Sequence, residues 1–244
     1  MAISIFFITH WYASIFAQTF FNHRYAAHQQ FTMNPFWEKF FYVFSFLSLG
    51  SSYLSAHVYA IMHRMHHAYT DTEKDPHSPR FDESMFAMML RTRKIYLDTF
   101  NKKVKIDEKF TKNLPQWTWF DTMANMRIVR LIWILFYITI YIFLAEDQWW
   151  WYFLLPITIV MGPFHGVIVN WFAHKYGYRN YKSKEEDSTN LLPFDFLLIG
   201  ECYHNNHHKF PANPNFGVKW FEIDLCYPFI KIFSWIGIIK LRKN

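Results

Sequence analysis

Cysteine is nearly absent from this chain. Its 244 residues contain only Cys202 and Cys226, which leaves no CxxC spacing for a thiolate metal site and allows at most one disulfide. Glycine is almost as scarce, at seven, and apolar residues make up 52% with aromatics at 22%. That composition excludes both a disordered chain and a loop-rich disulfide scaffold. Positive charge is missing from two long stretches, since no Lys or Arg occurs at 1–23 or at 131–174. The formal charge is nonetheless +6, so the basic residues are confined to the remaining blocks. No helix-turn-helix, RNP-like or zinc-finger pattern accompanies this surplus, and no nucleic-acid partner is expected. Mean hydropathy is near zero despite the apolar content, so very apolar blocks must alternate with very polar ones. The length fits a single domain, 1–244.

The apolar blocks have membrane dimensions. Residues 3–21 are uncharged and about as long as the roughly 20 residues a helix needs to cross the hydrocarbon core. They lack the basic start and small-residue cleavage site of a signal peptide. A second span is expected over 128–145, with Arg127 and Arg130 placed to snorkel at one end. A third uncharged run, 148–173, is longer than a bilayer requires, so its far end is expected to project into water. The turn "EDQ" before it is acidic and is followed by Trp149, Trp150 and Trp151, which suit an interface. The positive-inside rule then places 24–130 and everything after His174 in the cytoplasm. Block 36–62 consists of two apolar halves parted by "GSS" at 50–52, and on this topology it lies along the membrane or dips in and returns. A fourth true span would instead put 23–28 and 63–67 on opposite sides. The expected fold is an all-α membrane protein with about three transmembrane helices, this interfacial or re-entrant segment, and a cytoplasmic helical cap from 63–127 and 174–244.

Thirteen histidines are present, and nine fall into short motifs expected on the same face. "HRYAAH" supplies His23 and His28; "HRMHH" supplies His63, His66 and His67; "NWFAH" supplies Asn170 and His174; "HNNHH" supplies His204, His207 and His208. On a helix, positions i, i+3 and i+4 share a face, so each HxxHH set can aim three nitrogens inward, and Asn170 lies one turn from His174. His23 and His28 are about 140° apart on an ideal α-helix. They are therefore expected to diverge toward two metals, or to have the helix end between them. Neutral imidazole binds iron, zinc or copper, and nine exceed what one ion accepts, so two metals are indicated. A zinc hydrolase would want a general base such as the Glu of HExxH, which is absent. A bis-histidine haem protein would pair histidines inside the bilayer rather than at span ends. Di-iron oxygen chemistry matches best. His10 and His165 are expected to be hydrogen-bonded packing residues, and His57 and His77 structural or supporting ones.

At these residues the chain resembles the membrane fatty acid desaturases, in particular the acyl-CoA (stearoyl-CoA, delta-9 type) branch. The correspondence runs from about Thr19 to Leu225 and rests on HRxxxH at 23–28, HRxHH followed by "DTEKDPH" up to 77, "NWFAHKYGYR" at 170–179 and "GECYHNNHHKFP" at 200–211. The resemblance implies that the nine histidines ligate two iron ions (Fe2+), with Asn170 holding one of them through a water molecule. It also implies oxygen-dependent insertion of a cis double bond into a saturated acyl chain carried as acyl-CoA or acyl lipid. Eukaryotic relatives carry another span before the one leading into the first motif. This chain begins at that later span, which would set its N-terminus outside the cytoplasm. No HPGG haem motif of a fused cytochrome b5 occurs, so an external electron donor such as ferredoxin or cytochrome b5 is implied.

The active site is expected on the cytoplasmic side of a bacterial inner membrane, or of the ER membrane in a eukaryote. Asp71, Asp75 and Glu201 adjoin these histidines and could accept imidazole N–H bonds, although an ordinary surface role is equally open for Asp71. Arg91, Arg93 and Lys94 could hold an anionic headgroup, but topology alone explains them as well. A related di-iron acyl hydroxylase and a non-catalytic metal-binding membrane protein are the competing readings. The second would need polar residues lining a path across the bilayer, and residues 131–145 and 148–173 contain no acidic or basic side chains apart from His165.

Overall fold

The computed structural model describes residues 1–145 and 148–242 and is mostly helical. Helix α1, Ala2–Phe16, continues without a break into a π-helical segment, Ala17–Ala27, because Ala17 keeps helical dihedrals at the junction. A short strand β1, Phe31–Met33, follows. Helix α2, Pro35–Leu49, starts where the Asn34 side chain accepts the Trp37 N–H at 3.0 Å, with proline at the first helical position, where its missing donor is not needed. Helix α3, Ala56–Tyr69, is capped in the same way by Ser55. Between α2 and α3 the "GSS" turn breaks block 36–62 into two helices. Gly50 has φ +51°, and a Cβ there would fall 1.8 Å from the Tyr137 hydroxyl oxygen, so only glycine fits.

Helices α4, Met85–Phe100, α5, Glu108–Thr111, and α6, Thr118–Ala124, lead to α7, Arg127–Leu144. Among the described residues α7 is the one single helix long and apolar enough to cross a membrane. Ile132, Leu135, Phe136 and Phe143 point outward from it. Its inward tyrosines are paired, Tyr137 with His10 Nε2 at 3.1 Å and Tyr141 with Thr158 at 2.8 Å. Arg130 does not snorkel into solvent. Its guanidinium donates to the Ser51 and Tyr53 carbonyls at 2.6 and 2.9 Å and so clamps the "GSS" turn.

The run 148–173 is not one straight helix. A 3-10 turn, Trp149–Leu154, and α8, Leu155–Ile159, meet α9, Met161–Asn170, and the turn Phe172–His174 at a 72° bend. Val160 leaves helical geometry, and Pro163 just beyond it lacks the N–H that would continue the ladder. Gly162 N–H is satisfied instead by Ser52 Oγ at 3.0 Å. Residues 146 and 147, which carry the acidic turn, lie outside the described residues.

The C-terminal part includes α10, His204–Lys209, and α11, Tyr227–Trp235, and ends in strand β2, Ile239–Leu241. Strand β2 pairs antiparallel with β1, Thr32 lying opposite Lys240. The fold is otherwise helical as expected, and this pairing was not foreseen, since a three-residue strand is too short to leave an alternating pattern in the sequence. This pairing closes the C-terminal segment onto the segment that follows the first histidine motif. Beneath it lies an aromatic core in which Phe20 meets Phe31 and Phe41, each at 4.8 Å between ring centroids.

Candidate metal centre

The first motif sits on the π-helical segment. A π-helix closes i→i+5 hydrogen bonds, and here His28 N–H donates to the His23 carbonyl at 3.1 Å. At about 4.4 residues per turn, residues five apart fall roughly 50° from each other rather than 140°. His23 and His28 therefore point the same way, with ring centroids 4.9 Å apart. The expectation that they diverge toward two metals, or that the helix ends between them, is corrected by this local geometry.

The nine motif histidines form two nests. His23, His28, His63, His67 and His207 bring one nitrogen each within 4.8 Å of all the others, and His66, His174, His204 and His208 do the same. The HxxHH sets divide reciprocally. On α3, His63 and His67 enter the first nest and His66 the second; on α10, His204 and His208 enter the second and His207 the first. All three rings of each set face inward, but the i+3 ring diverges from the i/i+4 pair. Asn170 ends α9 one turn before His174 and is half-buried.

The Nε2 atoms face one another at 2.8 Å (His28 and His63), 2.9 Å (His67 and His207), 3.0 Å (His23 and His207, His63 and His67, His174 and His204) and 3.1 Å (His66 and His208). Two nitrogens bound at right angles to one ion at about 2.1 Å lie about 3.0 Å apart, so this spacing fits shared metal ligation. Proton accounting points the same way. His66 Nδ1 lies 2.8 Å from Asp75 and His208 Nδ1 lies 2.7 Å from Glu186. With both Nδ1–H groups donated to carboxylates, the two Nε2 atoms of neutral rings would be facing lone pairs, which a metal ion between them, or a proton on His66, would reconcile.

Carboxylates fix two further rings. His174 Nδ1 donates to Asp71 at 3.1 Å, and His23 Nδ1 lies 2.7 and 2.8 Å from the Glu201 oxygens. Asp71, Asp75 and Glu201 thus each lie within hydrogen-bond distance of a motif histidine. Burial, and then the neighbouring imidazoles, hold His28, His63, His67, His204, His207 and His208 well below the usual histidine range. They are therefore neutral, which is the form that binds a metal. His66 is the exception. Burial lowers it, but the charge of Asp75 and its hydrogen bond outweigh burial, so a proton competes with a cation for this ring.

Three residues of the site escaped the sequence reading. Glu186 lies in the charged run "KSKEEDS", where nothing distinguishes it from its neighbours. Arg24, inside the first motif, is fully buried between Asp224 at 2.7 Å and Glu201 at 3.2 Å. Its guanidinium lies 3.7 Å over the Phe216 ring. Asp224 receives Arg24 from the far side of the site, and its only sequence signal is its charge. Arg91 is engaged within the protein, on Asp82 and on the Asp75 and Ser78 carbonyls, where it braces the loop beneath His66. The remaining histidines lie outside the two nests, although His77 forms a further potential ion-binding group with His66 and Asp75. His165 Nδ1 meets Gln18 at 2.8 Å, and the His77 ring lies 4.4 Å from that of His66.

Backbone and amide contacts position α10. Asp195 accepts the N–H groups of Leu198, Gly200 and Cys202 at 2.7, 2.7 and 2.9 Å, which shapes the turn leading into the helix. The two asparagines of "HNNHH" face away from the nests. Asn206 donates to Glu222 and to the Phe216 carbonyl, while Asn205 accepts the Asn180 and Tyr181 N–H groups.

The sequence model of the fatty acid desaturase family matches residues 1–232. The delta-9 desaturase-like 5 protein of Arabidopsis thaliana is 30% identical over 230 residues, covering 90% of this chain and 70% of its own length. The delta-9 desaturase-like 4 protein of the same plant is 28% identical, over 72% of this chain and 56% of its own. The sn-1 stearoyl-lipid 9-desaturase of Synechocystis sp. is 27% identical over 223 residues, 89% of this chain and 64% of its own.

Proposed function

Because the chain belongs to the fatty acid desaturase family, we propose that it inserts a cis double bond into a saturated fatty acyl chain, using O2 and an external electron donor such as ferredoxin or cytochrome b5. The observation that carries this reading is the convergence of nine Nε2 atoms into two nests. Two ferrous ions would be held there, one by His23, His28, His63, His67 and His207, the other by His66, His174, His204 and His208 with Asn170 through water. Bound iron supplies the O2 and one-electron chemistry that removal of hydrogen from unactivated methylenes requires and that no side chain provides.

The protein's own groups position and protect. Glu201, Asp75, Asp71 and Glu186 accept hydrogen bonds from the Nδ1–H groups of His23, His66, His174 and His208, which fixes each tautomer with its Nε2 lone pair turned inward. Burial of the nests keeps bulk water from the reacting centre. The reading carries a topology of spans at 3–21, 128–145 and 148–173, with 36–62 at the interface. The cap and the iron site then lie on the cytoplasmic side of one membrane domain. The outward apolar band of α7 supports it, since such a stripe is stable against lipid and not against water.

Expression in a host lacking unsaturated fatty acids, with double bonds located by mass spectrometry, tests the reading. Monounsaturated chains should appear with the native protein and vanish with His67→Ala. Identical lipids in both, or hydroxylated chains in place of unsaturated ones, would overturn it.

A further inference from the structure

The two nests are unlike in what stands behind their rings. In the nest of His66, His174, His204 and His208, three of four imidazoles donate to three separate carboxylates, Asp75, Asp71 and Glu186. Among the described residues none of these carboxylates forms an ion pair with Lys or Arg, although Arg91 and Arg80 donate to the backbone carbonyls of Asp75 and Asp71 at 2.8 and 3.1 Å. In the nest of His23, His28, His63, His67 and His207, one ring alone has a carboxylate partner among the described residues, His23 with Glu201. That carboxylate is shared with the buried Arg24 guanidinium. A second cation stands close by, because Arg64 donates to the Ala27 carbonyl at 2.9 Å, beside His28. His207 Nδ1 in this nest and His204 Nδ1 in the other are both buried with no partner among the described residues.

We propose that the two nests hold their ions with unequal strength, the nest of His66, His174, His204 and His208 filling first and emptying last. The proposal rests on the reading that each nest holds an iron ion. An imidazole made more basic by a carboxylate typically gains about 10–100-fold in metal affinity. Three such pairs face one that is partly neutralised by Arg24, while the first nest gains one more neutral donor. The carboxylate advantage exceeds the extra imidazole, and a separation of about tenfold or more in affinity follows.

Chelator competition on the full chain in detergent tests this. The protein is loaded with ferrous iron under argon, dialysed against graded chelator, and its metal per chain read by plasma mass spectrometry. Loss should occur in two steps with a plateau at one ion per chain. Glu186→Gln should move the tighter step about tenfold toward lower chelator, narrowing the plateau, and leave the weaker step in place, which also shows that the variant is folded. Glu201→Gln should move only the weaker step. Two ions lost in a single step, or a Glu201→Gln effect on the tighter step, would overturn the ranking and leave the two-iron reading standing. Fewer than two ions bound by the loaded native protein would overturn both.

Discussion

Replacing Arg24 by methionine keeps the length of the side chain and removes its charge from a fully buried position. The guanidinium bonds Asp224 at 2.7 Å and Glu201 at 3.2 Å, donates through Nε to the Pro214 carbonyl at 3.1 Å, and covers Phe216. Glu201 would keep His23 and Thr19 as donors. Asp224 would keep only the Phe216 and Cys226 N–H groups, at 2.9 and 3.0 Å. Burial already holds its carboxyl above the usual range even with Arg24 beside it. Breaking one side of a buried pair costs about 3–5 kcal/mol. For a domain of this size each kcal/mol moves the melting temperature by about 2–4 °C. Arg24→Met should therefore melt roughly 6–20 °C lower in detergent, read by the loss of the monodisperse peak on size exclusion after heating. Adding Asp224→Asn removes the stranded charge, so the double variant should recover about 1–3 kcal/mol relative to the sum of the singles. A single variant that melts with the native protein, or two effects that simply add, would refute the claim that this cation holds the first motif to the C-terminal segment.

Gly50→Ala forces a Cβ onto the Tyr137 hydroxyl and an L-residue into positive φ. A loss of about 2–5 kcal/mol from strain and overpacking together is expected in the same melting assay, and an unchanged melting point would contradict the close approach. Asp71 responds to pH with a definite sign. Burial raises it, but the His174 hydrogen bond and charge, with Ser78 and the Asp187 N–H, hold it well below the usual carboxylate range. Its contribution is then complete above the unfolded value of about 3.9 and drains away as pH falls through the lower folded value. Stability measured from pH 7 downward should drop below about pH 4, and Asp71→Asn should be weaker at pH 7 and flatter with pH; parallel profiles would count against it. Cys202 and Cys226 are free and buried, and burial pushes the Cys226 thiol up to about 12. Alkylation at pH 8 should label neither until the chain unfolds, and rapid labelling of the native protein would show the burial to be wrong.

The inward orientation of both HxxHH sets was legible because it depends on one-dimensional spacing, whereas the split of each set between the two nests was not. HxxHH on a helix presents its rings to one side whatever else the chain does, and both sets lie on helices, α3 and α10. The pairing of His23 with His28 was not legible, since the π-helical segment that creates it follows from packing rather than propensity. Glu186 was hidden for a different reason. A carboxylate reaching an imidazole across 22 residues of irregular chain leaves no periodic trace. The break at "GSS" could be read from glycine and serine, whereas the 72° bend at 159–161 was masked by the uniform apolarity of 148–173. The two-stranded pairing of 31–33 with 239–241 joins opposite ends of the chain, and nothing local announces it.

The reciprocal sharing of α3 and α10 between the nests bears on how far apart two bound ions would sit. His66 and His67 are consecutive residues, as are His207 and His208, and in each case one serves each nest. The gap is therefore inherited from the angular step between consecutive helical side chains, and among the described residues no carboxylate belongs to both groups. An ion lost from one pocket would leave its neighbour's scaffold standing while loosening both helices at once. The pair would behave as separately ligated centres on one mechanical frame, with their separation written into backbone pitch.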